Sequence, residues 1–324
     1  MAVTIDPSAE ARARLDGRYA VRVLEPSPPP VTTPPWFADD PVNAPVVDGL
    51  PVVSPVANGD VTWDQLASDD ADLAAWCADR WLGAWTSLSP VTDVGALVRT
   101  RTAWQAVAER VLAPARHRAN GKIGLRYTRG GFATPWFDDG GTPSQLRVVG
   151  TDVITIRGDA QTTTPIPLLP PSDGDSEDLG YTTTSTMSRE VLAQVDHTSA
   201  ALLGEWLGLG CSVLEDLRCG QPDADATRCQ IWPEHLDCGI ELGDDASGRR
   251  ATFGASAGDD AHLEPYLYVM PWSDRPADYF WNDTAFRGAS MPYAGLVGTP
   301  DARARALEFL RTGLALATGR PFPT

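Results

Sequence analysis

The chain is expected to be α+β, with antiparallel sheet packed against helices and a proline-rich N-terminal arm. Two observations predict this. Helix-patterned stretches and short β-type runs come in blocks, helices then strands then helix then strands then helix, and no βαβ alternation of the kind that builds a parallel sheet is present. The second is ten prolines within residues 26–56, a density that prevents helix and central strand and leaves extended chain.

That arm, residues 1–60, also carries Trp36, Phe37 and many valines, so it is expected to lie along the body and bury apolar area. Residues 61–157 should hold two helices and the first strands. Leu73, Trp76, Cys77, Arg80, Trp81 and Ala84 keep the three-four spacing of one helix face, with Asp69, Asp70 and Asp72 at its N-terminal side. A second helix over 94–113 aligns Leu97, Trp104, Val107, Val111 and Leu112, and Pro114 should stop it. Alternation over 122–128 reads as a strand, and residues 146–149 and 153–157 as a hairpin around Gly150.

Residues 158–187, rich in Thr, Pro, Asp and Ser, are expected to be a surface loop. Residues 188–324 should complete one compact body with 61–157. A helix N-capped by Asp196 should run to about Leu217, with Gly204, Gly208 and Gly210 letting another helix approach closely. Strands are expected at 229–232, 236–242, 250–253 and 266–270, and an amphipathic helix at 300–319.

Charge and composition exclude whole classes of function. A net charge of −17 argues against nucleic-acid and anionic-membrane partners. Lys122 is the only lysine, so Walker-type phosphoryl transfer is excluded. No secretory pattern opens the chain, and the most apolar helical run, 200–214, is broken by Glu205 and too short for a bilayer. A cytoplasmic protein is expected. Of five cysteines, four (Cys211, Cys219, Cys229 and Cys238) fall within 28 residues. Structural zinc shows two close ligand pairs, which this spacing lacks, so buried free thiols are the expectation.

The chemistry concentrates in two segments, Trp232-Pro-Glu-His-Leu-Asp237 and Gly254-Ala-Ser-Ala-Gly-Asp-Asp-Ala-His-Leu-Glu-Pro-Tyr-Leu-Tyr-Val-Met-Pro-Trp272. Titratable groups interleaved with aromatics suit a small-molecule site, because burial shifts their pKa values and the rings supply contact area. Trp232, Glu234, His235, Asp237, Ser256, Asp259, Asp260, His262, Glu264 and Tyr266 are the candidate ligand contacts.

On extended strands His235 and Asp237 face one way, as do His262 and Glu264. Placed on neighbouring strands, these four would present two imidazoles and two carboxylates to one divalent metal. The plainer alternative has both histidines bonded to nearby carboxylates. Gly254-Ala-Ser256-Ala-Gly258 satisfies G-x-S-x-G, yet no helix pattern follows it, so Ser256 is expected to be a turn residue and not a nucleophile. Carboxylates among tryptophans also fit sugar chemistry, against the bland reading that tryptophans fill the core.

These segments resemble a family of uncharacterised bacterial proteins, a domain of unknown function that shares WPEH-F/L-D and GAS-x-GD…EPYLYV-x-PW motifs. Val111-Leu-Ala-Pro-Ala-Arg, Gly121-Lys-Ile-Gly-Leu-Arg and Gly130-Gly-Phe-Ala-Thr-Pro extend the resemblance over about residues 100–316. It implies that Trp232, His235, Asp237, Gly254, Ser256, Asp259 and Tyr266 are motif positions, and it gives none of them a role. The expectation is a small-molecule or divalent-metal site at this block, the alternative a non-catalytic ligand-binding or protein-interaction module.

Overall fold

The computed structural model describes residues 71, 75–76, 79–80, 83–172, 179–221, 227, 229–274 and 278–319. The proline-rich arm, with Trp36 and Phe37, lies outside the described residues, as do Leu73, Cys77 and Trp81 of the first expected helix. Trp76 is helical there, and Arg80 pairs with Glu205 at 3.0 Å. No helix among the described residues is long and apolar enough to cross a membrane.

The chain is α+β, with two antiparallel sheets around a buried helix. Helix α1 (Val94–Val107) starts where Asp93 accepts the Ala96 N–H, as an N-cap should. It buries Leu97, Trp104 and Val107 as its spacing predicts. Pro114 does not stop it. A π-helical turn (Ala108–Leu112) resets the register, and α2 (Ala113–Asn120) takes the proline into its first turn, where a missing N–H costs nothing.

The first sheet holds β1 (Arg126–Thr128), β2 (Gly131–Ala133), β3 (Phe137–Asp138), β4 (Pro143–Val149), β5 (Asp152–Arg157) and β6 (Ala160–Pro165). Its order is β1-β2-β4-β5-β6, with β3 beside β4. Strand β6 corrects the expected loop over 158–187. Thr162, Thr163 and Thr164 are β-branched and pair with Thr155, Ile154 and Val153, a mostly exposed edge strand that composition alone reads as loop. Further on, Ser185 and Met187 are buried, whereas 173–178 lie outside the described residues.

A short helix α3 (Arg189–Leu192) leads to α4 (His197–Cys219), whose N-cap is Asp196 as expected. Helix α4 packs against strands of both sheets. Its glycines admit β-structure, not the helix expected from their spacing. A Cβ on Gly204 would stand 2.9 Å from the Gly130 carbonyl carbon, and one on Gly210 2.5 Å from Ala255 Cβ.

The second sheet is a meander of β7 (Gln230–Trp232), β8 (Asp237–Asp244), β9 (Arg249–Ser256), β10 (Tyr266–Pro271) and β11 (Ala289–Pro292). Cys238, Ile240, Phe253, Ala255, Leu267 and Val269 are buried in the same apolar core as α4 and α5 (Ala302–Thr318). Paired backbone bonds of 2.8 Å between Leu125 and Ile231 tie the first sheet to the second. The polar residues of the motif segments are left to the opposite face.

Candidate functional site

Register assembles this face. In antiparallel pairing directly opposed residues point the same way, and Trp232 pairs with Asp237, Asp237 with Ser256, and Ser256 with Tyr266. Gly239, Gly254 and Tyr268 form the next row on that side. Gly254 is there to be covered: a Cβ on it would overlap the Tyr268 ring. Lying flat over the glycine, Tyr268 reaches across β9 and donates to Asp237 Oδ2 at 2.5 Å.

The turn before Asp237 is tight. Leu236, wholly buried, sits at φ +50° with its N–H on the Trp232 carbonyl at 2.8 Å. Left-handed backbone is costly for a leucine and survives only where its surroundings hold it. Here the buried side chain fixes the turn that carries Glu234 and His235 beside Asp237.

A cavity of about 420 Å³ opens over this corner, walled by Trp232, Glu234, Asp237, Tyr268, Met270 and, from the other side, Ile123 and Tyr181. Three buried polar atoms on its walls find no hydrogen-bond partner among the described residues: Tyr181 Oη, Glu234 Oε2 and Asp237 Oδ1. No Lys or Arg is among its lining residues. Burial pushes the Asp237 carboxyl above its ordinary range, and the Tyr268 bond restrains that rise. Burial, with Asp237 and Glu109 nearby, pushes Glu234 up too. Tyr181 and Tyr268 are raised first by burial, then by these carboxylates.

The wall bearing Tyr181 is pinned through α1 and the π turn. Glu109, wholly buried, accepts from Ser185 Oγ and from the Thr184 and Ser185 N–H groups at 3.1 and 2.9 Å. Gln105 Nε2 bonds Glu109 at 3.3 Å and the Glu234 carbonyl at 2.6 Å. One helix face therefore holds both sides of the cavity in place.

A second cavity of about 750 Å³ adjoins the first and shares Glu234, His235, Asp237, Tyr268 and Met270 with it. Arg101, Ser256, Asp259, Asp260, Tyr266 and Phe286 also line it. His262 and Glu264 line neither cavity. His262 is a clamp: its Nδ1 lies 3.3 Å from Asp259 Oδ1 and its Nε2 3.0 Å from Asp283 Oδ2. Tyr266 donates to Asp259 Oδ2 at 2.6 Å and packs its ring 4.3 Å from the imidazole. Burial pushes Asp259 up, but hydrogen bonds from Tyr266 and from the His262 and Ala261 N–H groups outweigh it and leave the carboxyl below its ordinary value. Ser256 ends β9, and its Oγ accepts the Gly258 N–H at 3.0 Å; no helix follows, so the nucleophile elbow is absent.

The metal set expected at His235, Asp237, His262 and Glu264 does not assemble. Strand β9 lies between β8 and β10, so the two segments are not neighbours, and His262 stands in the connecting loop. Among the described residues, the group of His, Cys, Asp or Glu able to surround one ion is Cys211, Cys229 and Cys238, on the core side of the sheet. Sequence reasoning did not select Tyr268, Tyr181, Gln105 or Glu109 for the site. The shared parity of Tyr266 and Tyr268 was a signal for the first; nothing in the pattern ties residues 105, 109 and 181 to residue 237. No family model, curated protein or solved structure matches the chain.

Proposed function

We propose that this protein binds a small organic cation, an amine or guanidine, in the 420 Å³ cavity beside Asp237. The observation that carries the reading is the convergence of Tyr181 Oη, Glu234 Oε2 and Asp237 Oδ1, all buried and, among the described residues, without a hydrogen-bond partner, on one cavity that no described Lys or Arg lines. An unpaired buried polar atom costs about 1–3 kcal/mol, more when charged, so a ligand that donates to all three recovers much of that. A cation does so best, because burial holds both carboxyls above their ordinary range and the opposing influence of His235 does not outweigh it. Trp232, Tyr181 and Tyr268 add aromatic faces that attract cations. Net charge −17 favours the same ligand class over anions.

A melting-temperature screen of full-length protein tests this, using diamines, aromatic amines and guanidines against size-matched polyols and carboxylic acids. Amines should raise Tm with concentration in the wild type, and Asp237→Asn and Glu234→Gln should each abolish the effect. Stabilisation by the carboxylic acids, or equal amine shifts in both variants, overturns the reading.

A further inference from the structure

We infer that Cys211, Cys229 and Cys238 form a three-coordinate, all-sulfur site for a soft monovalent metal ion, of which Cu⁺ is the representative. The three come from separate parts of the fold: Cys211 from α4, Cys229 from the residue before β7, and Cys238 from β8. Their exposures are 7%, 3% and 0%. Cys211 Sγ lies 3.4 Å from Cys229 Sγ and 3.9 Å from Cys238 Sγ, and all three sulfurs fall within 4.8 Å of one another. A planar triangle of metal–sulfur bonds of about 2.3 Å spaces its sulfurs about 4.0 Å apart. At 3.4 Å, 3.9 Å and no more than 4.8 Å the sulfurs lie near that spacing, whereas a disulfide would need sulfurs at about 2.05 Å and would leave the third thiol over.

The donor set selects the ion. Thiolates favour soft metals, while zinc completes a fourth position in structural sites. No imidazole or carboxylate joins the three sulfurs among the described residues. Glu215, one turn along α4 from Cys211, is committed elsewhere: Oε1 accepts the Cys229 N–H at 3.0 Å and Oε2 pairs with Arg218 at 2.5 Å. Around the cluster are Leu207, whose carbonyl lies 3.5 Å from Cys238 Sγ, and the Gly210 backbone. Each cysteine gives up its proton as it binds, and the ion then joins the central helix to β8 and to the residue that leads into β7.

The test is an anaerobic titration of reduced, full-length protein with Cu⁺ in competition with bicinchoninate, followed by X-ray absorption. The wild type should retain one copper per chain with a sulfur-only shell of three, and a raised Tm. Cys77→Ser/Cys219→Ser should bind as the wild type does, while Cys229→Ser and Cys238→Ser each lose the ion. Circular dichroism separates that loss from unfolding; if one variant does not fold, the other and the wild-type absorption spectrum decide. No retained copper, nitrogen or oxygen in the shell, loss in the Cys77/Cys219 variant, or zinc held in preference to copper overturns the assignment.

Discussion

Tyr268→Phe removes a single oxygen and isolates the interaction on which the corner depends. Asp237 is 6% exposed, and the Tyr268 hydroxyl, at 2.5 Å, is its partner at Oδ2; Oδ1 has none among the described residues. A hydrogen bond to a charged group contributes about 1.5–3 kcal/mol, so the variant should lose about 2 kcal/mol under conditions where Asp237 is ionised. At 2–4 °C per kcal/mol this is a fall of about 4–8 °C in Tm. The loss should depend on pH. Asp237 titrates above its ordinary value in the folded protein, so its contribution to stability is complete below the unfolded pKa and is lost as pH rises through the folded one. Because the tyrosine bond opposes that upward shift, removing it raises the folded pKa further, and the deficit widens as pH increases. Asp237→Asn keeps an acceptor for Tyr268 while removing the titrating group, so it should escape this pH-dependent loss and its cost relative to the wild type should shrink as pH rises. Urea unfolding of both variants from acid to alkaline pH provides the comparison. A deficit for Tyr268→Phe that is constant with pH, or shrinks as pH rises, refutes the reasoning.

Three further outcomes are expected. Gly254→Val should cost about 1–3 kcal/mol by overpacking, since any Cβ there meets the Tyr268 ring, and it should abolish amine binding; a variant as stable as the wild type contradicts the flat placement of that ring. Glu109→Ala should unpin the Tyr181 wall, so that the Thr184 and Ser185 amides, bonded to Glu109 in the wild type, lose protection in hydrogen exchange. His262→Ala should lower Tm by freeing the loop held between Asp259 and Asp283, and calorimetry should find amine affinity unchanged.

Much of the fold was legible because it follows local rules. The Asp196 cap, the Gly150 hairpin and the four strand cores after residue 229 are read from neighbours in the chain. Strand β6 was not, because threonines on an edge strand resemble a polar loop until β5 supplies their partners. Pro114 misled for a related reason: a proline that would end one helix is tolerated in the first turn of another. At the site, the sequence indicated Trp232, Glu234, His235 and Asp237, which line the first cavity. The four-residue metal set required adjacent strands, and an intervening β9 is a matter of topology. Glu109 and Tyr181 reach the site only through tertiary packing. The cysteines show the same limit, since spacings without a close pair still converge when helix, loop and strand carry them.

The most direct test of the cation site is the proton balance on binding. Isothermal titration of the tightest amine from the screen, in buffers of different ionisation heat, counts protons exchanged per ligand. A bound cation favours the ionised carboxyls and draws their raised pKa values down, so protons should be released and affinity should strengthen as pH rises through the carboxyls' raised range. Asp237→Asn should give no binding heat. If no amine binds, or binding takes up protons and weakens with pH across that range, the cavity beside Asp237 is not a cation site.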